Sequence, residues 1–239
     1  MKKIGFIPAR GGSKGVPRKN LRIMAGQPMF TYSLLAGLQS SLDSVVVSSD
    51  DSEILETAST WTARFAPSFA HKLSLHVRPP AISGDRSTID EAVAHFAAER
   101  LAADELLVLL PPTSPLRTSA HVEGACSAFE QGNMRALVSV SEPMEHPGDM
   151  AAIEDGVFHF ILERGEATAR QEYAKCCFIN GALYLMRLAD YLKEKTFFLP
   201  STKMYVMDQL SSIDVDTEAD FIIAESLLMC RGKNHARIS

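Results

Sequence analysis

Apolar runs without polar interruption recur along this chain, and stretches with a helical spacing of apolar residues separate them. The clearest runs are KKIGFIPA near the start, then DSVVVSSDD, ELLVLLPP and ALVSVSE. A strand with one face in water alternates apolar and polar residues, whereas a strand buried on both faces is apolar throughout. Such strands, alternating with helices, predict an α/β fold with a mainly parallel sheet that is covered on both faces. A sheet of this kind places its ligand site at the carboxyl ends of the strands.

The predicted helices have recognisable ends. Ser52 is expected to cap the helix that follows DSVVVSSDD, because a serine side chain accepts a hydrogen bond from the first helical turn. Gly132 is expected to close the helix in SAHVEGACSAFEQG. For the same reason as Ser52, Asp216 or Thr217 is expected to cap the last helix.

The section from about 142 to 187 is less regular. Its sequence suggests strands and hairpins instead of another helical crossover. We therefore expect a single domain over residues 1–239, with a small β-rich subdomain inserted at about 142–187.

The composition is that of an ordinary globular enzyme, with 46% hydrophobic and 22% charged residues. The net charge of -5 argues against a dedicated nucleic-acid binder, which needs a broad excess of Lys and Arg. No apolar stretch is long enough to cross a bilayer, and the run after Lys2 and Lys3 is too short for a signal peptide. The four cysteines have neither metal-ligand spacing nor the density of a disulfide framework. We therefore expect a cytoplasmic enzyme with free thiols, and no membrane or nucleic-acid partner.

A glycine-rich basic loop, IPARGGSKGVPRKN, follows the first predicted strand. It is not a Walker A loop, because Lys14 is followed by Gly15 and not by a Ser or Thr that opens a helix. It also lacks the G-x-G-x-x-G spacing of the dinucleotide fingerprint. Its glycines let backbone N–H groups approach an anion closely, and its cations suit a triphosphate. A solvated basic loop is the alternative, but this does not explain three glycines directly after a strand.

Two carboxylates are spaced by one residue in SIDVDT, at Asp214 and Asp216. In a strand both would lie on one face, with Val215 on the other. Such a pair is unfavourable beside a triphosphate unless a cation lies between them, and Mg²⁺ binds one or two carboxylates together with phosphate oxygens. We therefore predict a magnesium site here; the alternative is that Asp216 only caps the last helix and Asp214 is solvated. Asp50 is either a second neighbour of the metal or the N-cap of the helix after it.

The glycine-rich loop is also the first of seven blocks that occur in an order typical of one enzyme family. They are IPARGGSKGVPRKNLRIMAGQPMFTYSLLAG, VVVSSDDSEILETA, RPPAISGDRSTIDEAVAHF, LLPPTSPLRTSAHVEGACSAF, SVSEPMEHP, RQEYAKCCFINGALYL and SIDVDTEADFIIAESLL. Together they resemble the CMP-sialic acid synthetases, the acylneuraminate cytidylyltransferases, over nearly the whole chain from Lys3 to about Met229. One block alone would be a weak signal, whereas several in the same order are a specific one.

The resemblance implies a Rossmann-like nucleotidyltransferase fold and a homodimer in which the insertion of one subunit reaches toward the sugar site of the other. The reaction that it implies joins CTP to a free nonulosonic acid, such as N-acetylneuraminic or legionaminic acid, and gives the CMP-sugar and pyrophosphate. It implies Mg²⁺ as the cofactor. The short form of the chain points to a bacterial enzyme.

The resemblance also assigns residues to roles. The residues expected to bind CTP are Arg10, Ser13, Lys14, Gly15, Lys19, Asn20, Arg78, Ala81, Asp85, Thr88, Pro112 and Thr113. The residues expected to bind the sugar are His146, Arg170, Gln171, Asn180 and Tyr184. The expected catalytic residues are Arg10, Lys14, Lys19, Asp214 and Asp216. The two aspartates are also the expected metal ligands. Arg170 suits the sugar carboxylate because a planar guanidinium group can donate two parallel hydrogen bonds to a carboxylate.

Two departures from the family pattern lie on the sugar side. Pro111 stands where many members have glutamine, and proline cannot reproduce the contacts of an amide side chain. Gly148 follows His146 and Pro147 where the sialic acid enzymes have a lysine. These changes leave the identity of the nonulosonic acid open. The block NGALYL resembles the form found in the sialic and legionaminic acid enzymes, so we expect pseudaminic acid to be the less favoured substrate. The alternatives are a nucleotidyltransferase for the eight-carbon acid Kdo or a hexose 1-phosphate, and a non-catalytic paralogue that binds sugar nucleotides.

Overall fold

The computed structural model describes residues 1–12, 15–84, 87–98, 105–161 and 174–235. Its strands are β1 (Lys2–Pro8), β2 (Ile23–Met24), β3 (Gln27–Pro28), β4 (Ser44–Ser49), β5 (Leu73–Val77), β6 (Glu105–Leu109), β7 (Ala136–Ser141), β8 (Ala151–Glu154), β9 (Val157–Phe160), β10 (Phe178–Arg187) and β11 (Lys203–Val206). Its α-helices are α1 (Phe30–Leu38), α2 (Ser52–Phe65), α3 (Ile89–Ala98), α4 (Ser119–Gln131), α5 (Leu188–Glu194) and α6 (Glu218–His235).

Seven of the described strands form one sheet, in the order β11-β7-β10-β6-β1-β4-β5. Neighbouring strands in it run parallel, except that β10 is antiparallel to both β6 and β7. The predicted α/β fold with a mainly parallel sheet is therefore confirmed. Two small hairpins, β2 with β3 and β8 with β9, are separate from this sheet.

The central strands of the sheet are buried on both faces. Val45 and Val47 of β4 pack into one core cluster with Phe30 of α1, whereas Val46 packs into a second cluster with Phe96 of α3. Successive side chains of a strand point to opposite faces, so the three valines contribute to both clusters. This explains why DSVVVSSDD is apolar throughout its centre, since helices cover the sheet on both sides.

A third core cluster joins the two ends of the chain. Val16 from the glycine-rich loop and Val215 from SIDVDT are both fully buried, and they pack in one cluster with Phe221 of α6. The backbone N–H of Val215 also donates to the carbonyl of Thr113, 2.8 Å away, just after β6. The loop, the end of β6 and the aspartate segment are therefore held beside one another, although they lie far apart in the sequence.

The predicted helix ends have mixed outcomes. Gly132 directly follows the last residue of α4 and is its C-cap, as expected. Thr217 caps α6, because its hydroxyl accepts from the N–H of Asp220 at 3.3 Å and the carboxylate of Asp220 accepts from the N–H of Thr217 at 2.7 Å. The prediction of Ser52 as an N-cap is wrong. Asp51 is the cap, since its Oδ1 accepts a backbone N–H of the first turn at 2.9 Å, and Ser52 is the first residue of α2.

The segment at 142–187, predicted as one inserted subdomain, contains a separate hairpin and a strand of the main sheet. β8 and β9 form a hairpin in which every residue of both strands is exposed. β10 pairs with β6 and β7, so residues 178–187 belong to the main sheet and not to the predicted insertion. Residues 162–173 lie outside the described residues.

Cys126, Cys176, Cys177 and Cys230 are free thiols, as the composition predicts. Burial raises the pKa of the Cys126 thiol to about 11, so this thiol stays protonated at neutral pH. In the described part of the chain, no helix combines the length and the apolar character that crossing a membrane requires.

Candidate active site

A cavity of about 480 Å³ lies where β1 and β6 end. It is lined by Pro8, Arg10, Gly15, Lys19, Asn20, Arg78, Ser87, Thr88, Ile89, Pro112, Thr113 and Asp216. A parallel α/β sheet binds its ligand at this position, because loops that follow neighbouring strands meet there. The volume lies within the range of roughly 300–1,000 Å³ that is typical of small-molecule sites.

Most of the residues predicted to bind CTP line this cavity. They are Arg10, Gly15, Lys19, Asn20, Arg78, Thr88, Pro112 and Thr113. Ala81 does not line it, and is exposed in the short helical turn Pro80–Ile82. Ser13, Lys14 and Asp85 lie outside the described residues.

Gly15 and Lys19 hold the glycine-rich loop against the aspartate segment. A Cβ atom on Gly15 would collide with the carbonyl oxygen of Asp216, so only glycine fits this close approach. Lys19 Nζ donates to the Val215 carbonyl at 2.5 Å and forms an ion pair with Asp216 Oδ1 at 3.1 Å. The ammonium group of Lys19 is therefore fixed at the edge of the cavity.

Asp50 and Asn20 fix the first half of the loop. The N–H of Gly11 donates to Asp50 Oδ1 at 3.0 Å, and the side-chain amide of Asn20 donates to the Arg10 carbonyl at 2.8 Å. The N-cap role considered for Asp50 is wrong, because Asp51 caps α2. The carboxylate of Asp50 instead holds the loop in place through its hydrogen bond with Gly11.

Arg78 and Arg18 have contrasting environments. Arg78 is 7% exposed, and its Nε donates to Ser48 Oγ at 2.8 Å. Burial lowers the pKa of its guanidinium, while the charge of Asp50 raises it. The alternative that Arg78 forms only a surface ion pair is therefore wrong. Arg18 is exposed, forms an ion pair with Glu53 at 2.6 Å and is not among the described residues that line the cavity.

A second cavity of about 420 Å³ adjoins the first, and Asp216 lines both. It is lined by Ser141, Glu142, Pro143, Met144, Glu145, Met150, Phe178, Gln209, Ser212, Ile213, Asp214, Asp216 and Asp220. Most of these residues were not predicted as site residues. The pairing of β10 with β7 places Phe178 opposite Ser141 in this lining, and no local sequence motif encodes that pairing.

Asp214 and Asp216 lie in a segment without regular secondary structure and not in the strand that their spacing suggested. Val215 between them is nevertheless fully buried, and both carboxylates line the second cavity. Burial raises the pKa of the Asp214 carboxyl, the Thr113 hydroxyl lowers it, and the charge of Asp216 raises it. Asp214 Oδ1 is buried and has no hydrogen-bond partner among the described residues. A buried carboxylate oxygen of this kind is unfavourable by itself and is suited to a cation.

The two carboxylates fit the predicted magnesium ion. Mg²⁺ is usually bound by one or two carboxylates together with substrate phosphate oxygens. The part of the chain that the structure describes has no group of three or more His, Cys, Asp or Glu side chains that could hold a metal. The unpartnered Oδ1 of Asp214 is the observation that favours a cation here.

The residues predicted to bind the sugar are brought together only in part. Tyr184 lies near Asp214, and burial together with the charge of Asp214 raises the pKa of its hydroxyl. His146 caps a short helical turn, where its Nδ1 accepts a backbone N–H at 3.0 Å. Arg170 and Gln171 lie outside the described residues.

Asn180 is fully buried, and its amide group bonds to the protein. Its Oδ1 accepts from Ser139 Oγ at 2.6 Å, and its Nδ2 donates to Ser212 Oγ at 2.8 Å. Ser212 in turn lines the second cavity. Asn180 therefore supports the wall of this cavity instead of facing into it.

Pro111 stands in place of the glutamine expected from the family, and its carbonyl is bonded within the protein. The carbonyl accepts from Ser33 Oγ at 3.1 Å and from Arg117 Nη1 at 3.2 Å. Arg117 also donates to the Ala182 carbonyl at 2.6 Å, and burial lowers its pKa to about 9. These bonds fix the turn after β6 that lines the first cavity.

Comparison with known proteins identifies the family. The family model described as cytidylyltransferase matches residues 4–157, which is more than half of the chain. The chain is also 31% identical over 234 residues to pseudaminic acid cytidylyltransferase of Campylobacter jejuni, with 95% of this chain and 96% of that protein covered. This chain belongs to the cytidylyltransferase family.

Two further relatives are named for other sugar acids. The chain is 33% identical over 226 residues to N-acylneuraminate cytidylyltransferase of Streptococcus agalactiae serotype III, covering 93% of this chain and 52% of that protein. It is 27% identical over 236 residues to CMP-N,N'-diacetyllegionaminic acid synthase of Legionella pneumophila, covering 95% and 97%. The chain spans about half the length of the streptococcal cytidylyltransferases that it matches.

Two solved structures share the fold of this chain. CMP:2-keto-3-deoxy-manno-octonic acid synthetase complexed with CTP aligns with a TM-score of 0.68 at 16% identity, covering 97% of this chain and 100% of that one. A 4-diphosphocytidyl-2C-methyl-D-erythritol synthase from Anaerococcus prevotii aligns with a TM-score of 0.63 at 12% identity, covering 95% and 98%. The expected Rossmann-like nucleotidyltransferase fold is therefore confirmed.

Proposed function

We propose that this chain transfers the CMP group of CTP to a nonulosonic acid and releases pyrophosphate. The observation that carries the proposal is the pair of adjoining cavities that share Asp216. One cavity rests on the glycine-rich basic loop, and the other opens beside the paired aspartates. Two substrates bound in these cavities would meet at Asp216. The names of the relatives, which describe transfer to N-acylneuraminic, pseudaminic and legionaminic acids, support this assignment.

The first cavity is suited to CTP. Arg10 and Lys19 bring positive charge to it, and each charge-assisted hydrogen bond to a phosphate contributes about 1.5–3 kcal/mol. Lys14 adds a third cation to the same loop in our proposal. We assign Arg78 and Thr88, which line another part of the cavity, to the cytidine.

The proposed reaction is a displacement at the α-phosphorus of CTP. The anomeric hydroxyl oxygen of the sugar acid bonds to this phosphorus, the bond from the phosphorus to the β-phosphate oxygen breaks, and the hydroxyl proton passes to solvent. Arg10 and Lys19 stabilise the negative charge on the phosphates, and Lys19 is already fixed by Val215 and Asp216 before substrate binds. Mg²⁺ held by Asp214 and Asp216 would supply further positive charge at the α-phosphate.

The second cavity is suited to a substituted sugar acid. Met144, Met150 and Phe178 provide apolar surface for N-acyl groups, while Ser212 and Glu142 provide polar atoms for hydroxyls. The charged residues of its lining are acidic, so the sugar carboxylate needs a cation from elsewhere. We propose that Arg170 supplies it with the help of Gln171, and that Tyr184 and His146 complete this side of the site.

We also propose that the protein is a homodimer that associates through the β8–β9 hairpin. Ile153 pairs with Phe158 across the hairpin, and the rings of Phe158 and Phe160 lie 5.5 Å apart on the same face. These side chains are 78%, 64% and 44% exposed, in the order Ile153, Phe158 and Phe160. A contiguous exposed apolar face is typical of a protein interface. A second copy of the chain would cover it.

We place the reaction in the cytoplasm. Cys177 and Cys230 are exposed free thiols. Such thiols stay reduced in the cytoplasm and become oxidised outside it.

A pyrophosphate-release assay tests the proposed function. CTP, UTP, ATP and GTP are each combined with N-acetylneuraminic, legionaminic and pseudaminic acid, with Kdo and with a hexose 1-phosphate, in the presence and absence of Mg²⁺. We expect release only with CTP, a nonulosonic acid and Mg²⁺. Preferred turnover of Kdo or a hexose 1-phosphate would favour another nucleotidyltransferase, and no turnover with any pair would favour a non-catalytic paralogue.

A further inference from the structure

Ser48, His76 and His95 form a chain of hydrogen bonds behind the first cavity. Ser48 lies in β4, and His76 lies opposite it in β5. Ser48 Oγ and His76 Nδ1 are 2.8 Å apart, and His76 Nε2 and His95 Nδ1 of α3 are 2.9 Å apart. Ser48 is 0% exposed and His76 is 5% exposed. The three side chains are not among the described residues that line the two cavities, so they act on a ligand only through another residue.

Arg78 connects this chain of hydrogen bonds to the cavity. Its Nε donates to Ser48 Oγ at 2.8 Å, and its Nη2 donates to the Ser48 carbonyl at 3.0 Å. Ser48 therefore engages two of the three guanidinium nitrogens and leaves Nη1 for a ligand. Because Arg78 lines the cavity, the orientation that Ser48 imposes decides where Nη1 can donate.

The direction of these hydrogen bonds follows from the number of hydrogens. The Ser48 hydroxyl has one hydrogen, and its oxygen accepts from Arg78. If this hydroxyl donates to His76 Nδ1, His76 Nε2 carries the ring hydrogen and donates to His95, so every hydrogen has an acceptor. In the reverse arrangement the buried hydroxyl hydrogen loses that acceptor, which costs about 1–3 kcal/mol. His76 therefore acts as an acceptor that turns a lone pair of Ser48 toward Arg78.

We propose that Ser48 and His76 are positioning residues, which hold the Arg78 guanidinium in the orientation in which it binds the nucleotide. This inference rests on the proposed function, since it takes the first cavity as the CTP site. If the two residues had only a structural role, their substitution would lower the stability of the fold. Any effect of that substitution on nucleotide affinity would then be the same with and without Arg78.

His76→Phe is the most direct test. The substitution keeps an aromatic ring beside Phe6 and Phe96 but removes both ring nitrogens. We expect the Kd for CTP, measured by titration calorimetry without sugar, to rise about tenfold, as for the loss of one hydrogen bond to a charged group. The kcat and the KM for the sugar acid should stay close to wild type. His76→Asn, whose amide can take the position of Nδ1, should recover most of the affinity.

A double-variant cycle separates positioning from folding. In an Arg78→Ala background, His76→Phe should have no further effect on the Kd for CTP, because the residue through which His76 acts is gone. Ser48→Ala should behave like His76→Phe, and Ser48→Thr, which keeps the hydroxyl, should bind CTP like wild type. This Ser48 pair gives the same comparison if His76→Phe does not fold.

Two different failures can be told apart. An unchanged Kd in His76→Phe, or an equal loss of affinity with and without Arg78, overturns the inference alone. A wild-type chain that binds no CTP overturns the proposed function and, with it, the inference.

Discussion

At the scale of single residues, the proposed magnesium site rests mainly on Asp214. Its Oδ1 has no partner among the described residues, and burial raises the pKa of its carboxyl. Between the ordinary and the raised pKa, the folded protein binds more protons at this group than the unfolded chain does. The stability therefore falls as the pH rises through this window. The ionised carboxylate destabilises the free protein, and a cation offsets this effect.

Asp214→Asn removes this buried charge and keeps the shape of the side chain. We expect kcat to fall by about 10²–10⁴, equivalent to roughly 3–5 kcal/mol of barrier, because a proposed metal ligand is lost. At neutral pH and without Mg²⁺, the variant should unfold at a higher temperature than wild type. The two midpoints should converge as the pH falls toward the ordinary pKa of an aspartate, near about 3.9. Steady-state kinetics and thermal unfolding between acidic and neutral pH provide the two measurements.

Asp216→Asn is the matched control, since Asp216 is exposed. This variant should lose turnover without gaining stability. Near-normal turnover of Asp214→Asn at low Mg²⁺ would remove the metal assignment. A midpoint for Asp214→Asn below that of wild type at neutral pH would contradict the effect of the buried charge.

The lining of the first cavity could be predicted largely from the sequence, and that of the second cavity could not. Gly15 and Lys19 lie close together in one short loop, so a local sequence motif is enough to identify them. Asn180 looks like a sugar contact in the sequence, but Ser139 and Ser212 engage its amide from other elements. Whether a polar side chain faces a ligand or the protein depends on such distant partners.

At the scale of elements, the glycine-rich loop and the aspartate segment act as one unit. Gly15 contacts the backbone of Asp216 too closely for any side chain, and Lys19 bonds to the same segment. The aspartate segment therefore fixes the position of the loop. This arrangement brings the proposed metal ligands to the proposed phosphate site.

Gly15→Ala should disrupt this unit. The added methyl group meets the Asp216 carbonyl, so the backbone must shift, which destabilises a packed site by about 1–3 kcal/mol. Gly12→Ala adds the same group to the same loop, but no protein atom of the described residues lies within 4 Å of its position. We expect thermal unfolding of the free protein to show a loss of stability in Gly15→Ala and little change in Gly12→Ala. An equal loss in both variants would contradict the close contact between loop and segment.

The strands were predictable to different degrees. β1, β4, β6 and β7 are parallel or central strands, and their unbroken apolar runs mark them. β10 lies among them but is antiparallel and irregular, with a shift in register between Ile179 and Tyr184 and a left-handed conformation at Gly181. Its sequence therefore resembled part of the insertion. The pairing that builds the second cavity depends on this strand, so the cavity could not be predicted either.

At the scale of the whole molecule, the β8–β9 hairpin carries the prediction of a dimer. Ile153, Phe158 and Phe160 form its apolar face, and the register places Val157 and His159 on the opposite face. The apolar face is exposed in the single chain. A second copy of the chain would remove this apolar surface from water.

Phe158→Asp should convert the dimer into a monomer, because it places a charge in the centre of the apolar face. His159→Asp introduces the same side chain on the opposite face and should leave the dimer intact. Light scattering coupled to size-exclusion chromatography measures the mass of each variant. A monomeric wild type, or dissociation in both variants, would contradict an interface on this face.

The measurement that tests the central claim most directly is ³¹P NMR of the wild-type protein mixed with CTP, Mg²⁺ and N-acetylneuraminic, legionaminic or pseudaminic acid. The proposed function predicts that, with at least one of these acids, the three phosphate resonances of CTP are replaced by one phosphodiester resonance and by pyrophosphate in equal amounts. Formation of cytidine diphosphate and inorganic phosphate, or a spectrum identical to that without enzyme for all three acids, would contradict it.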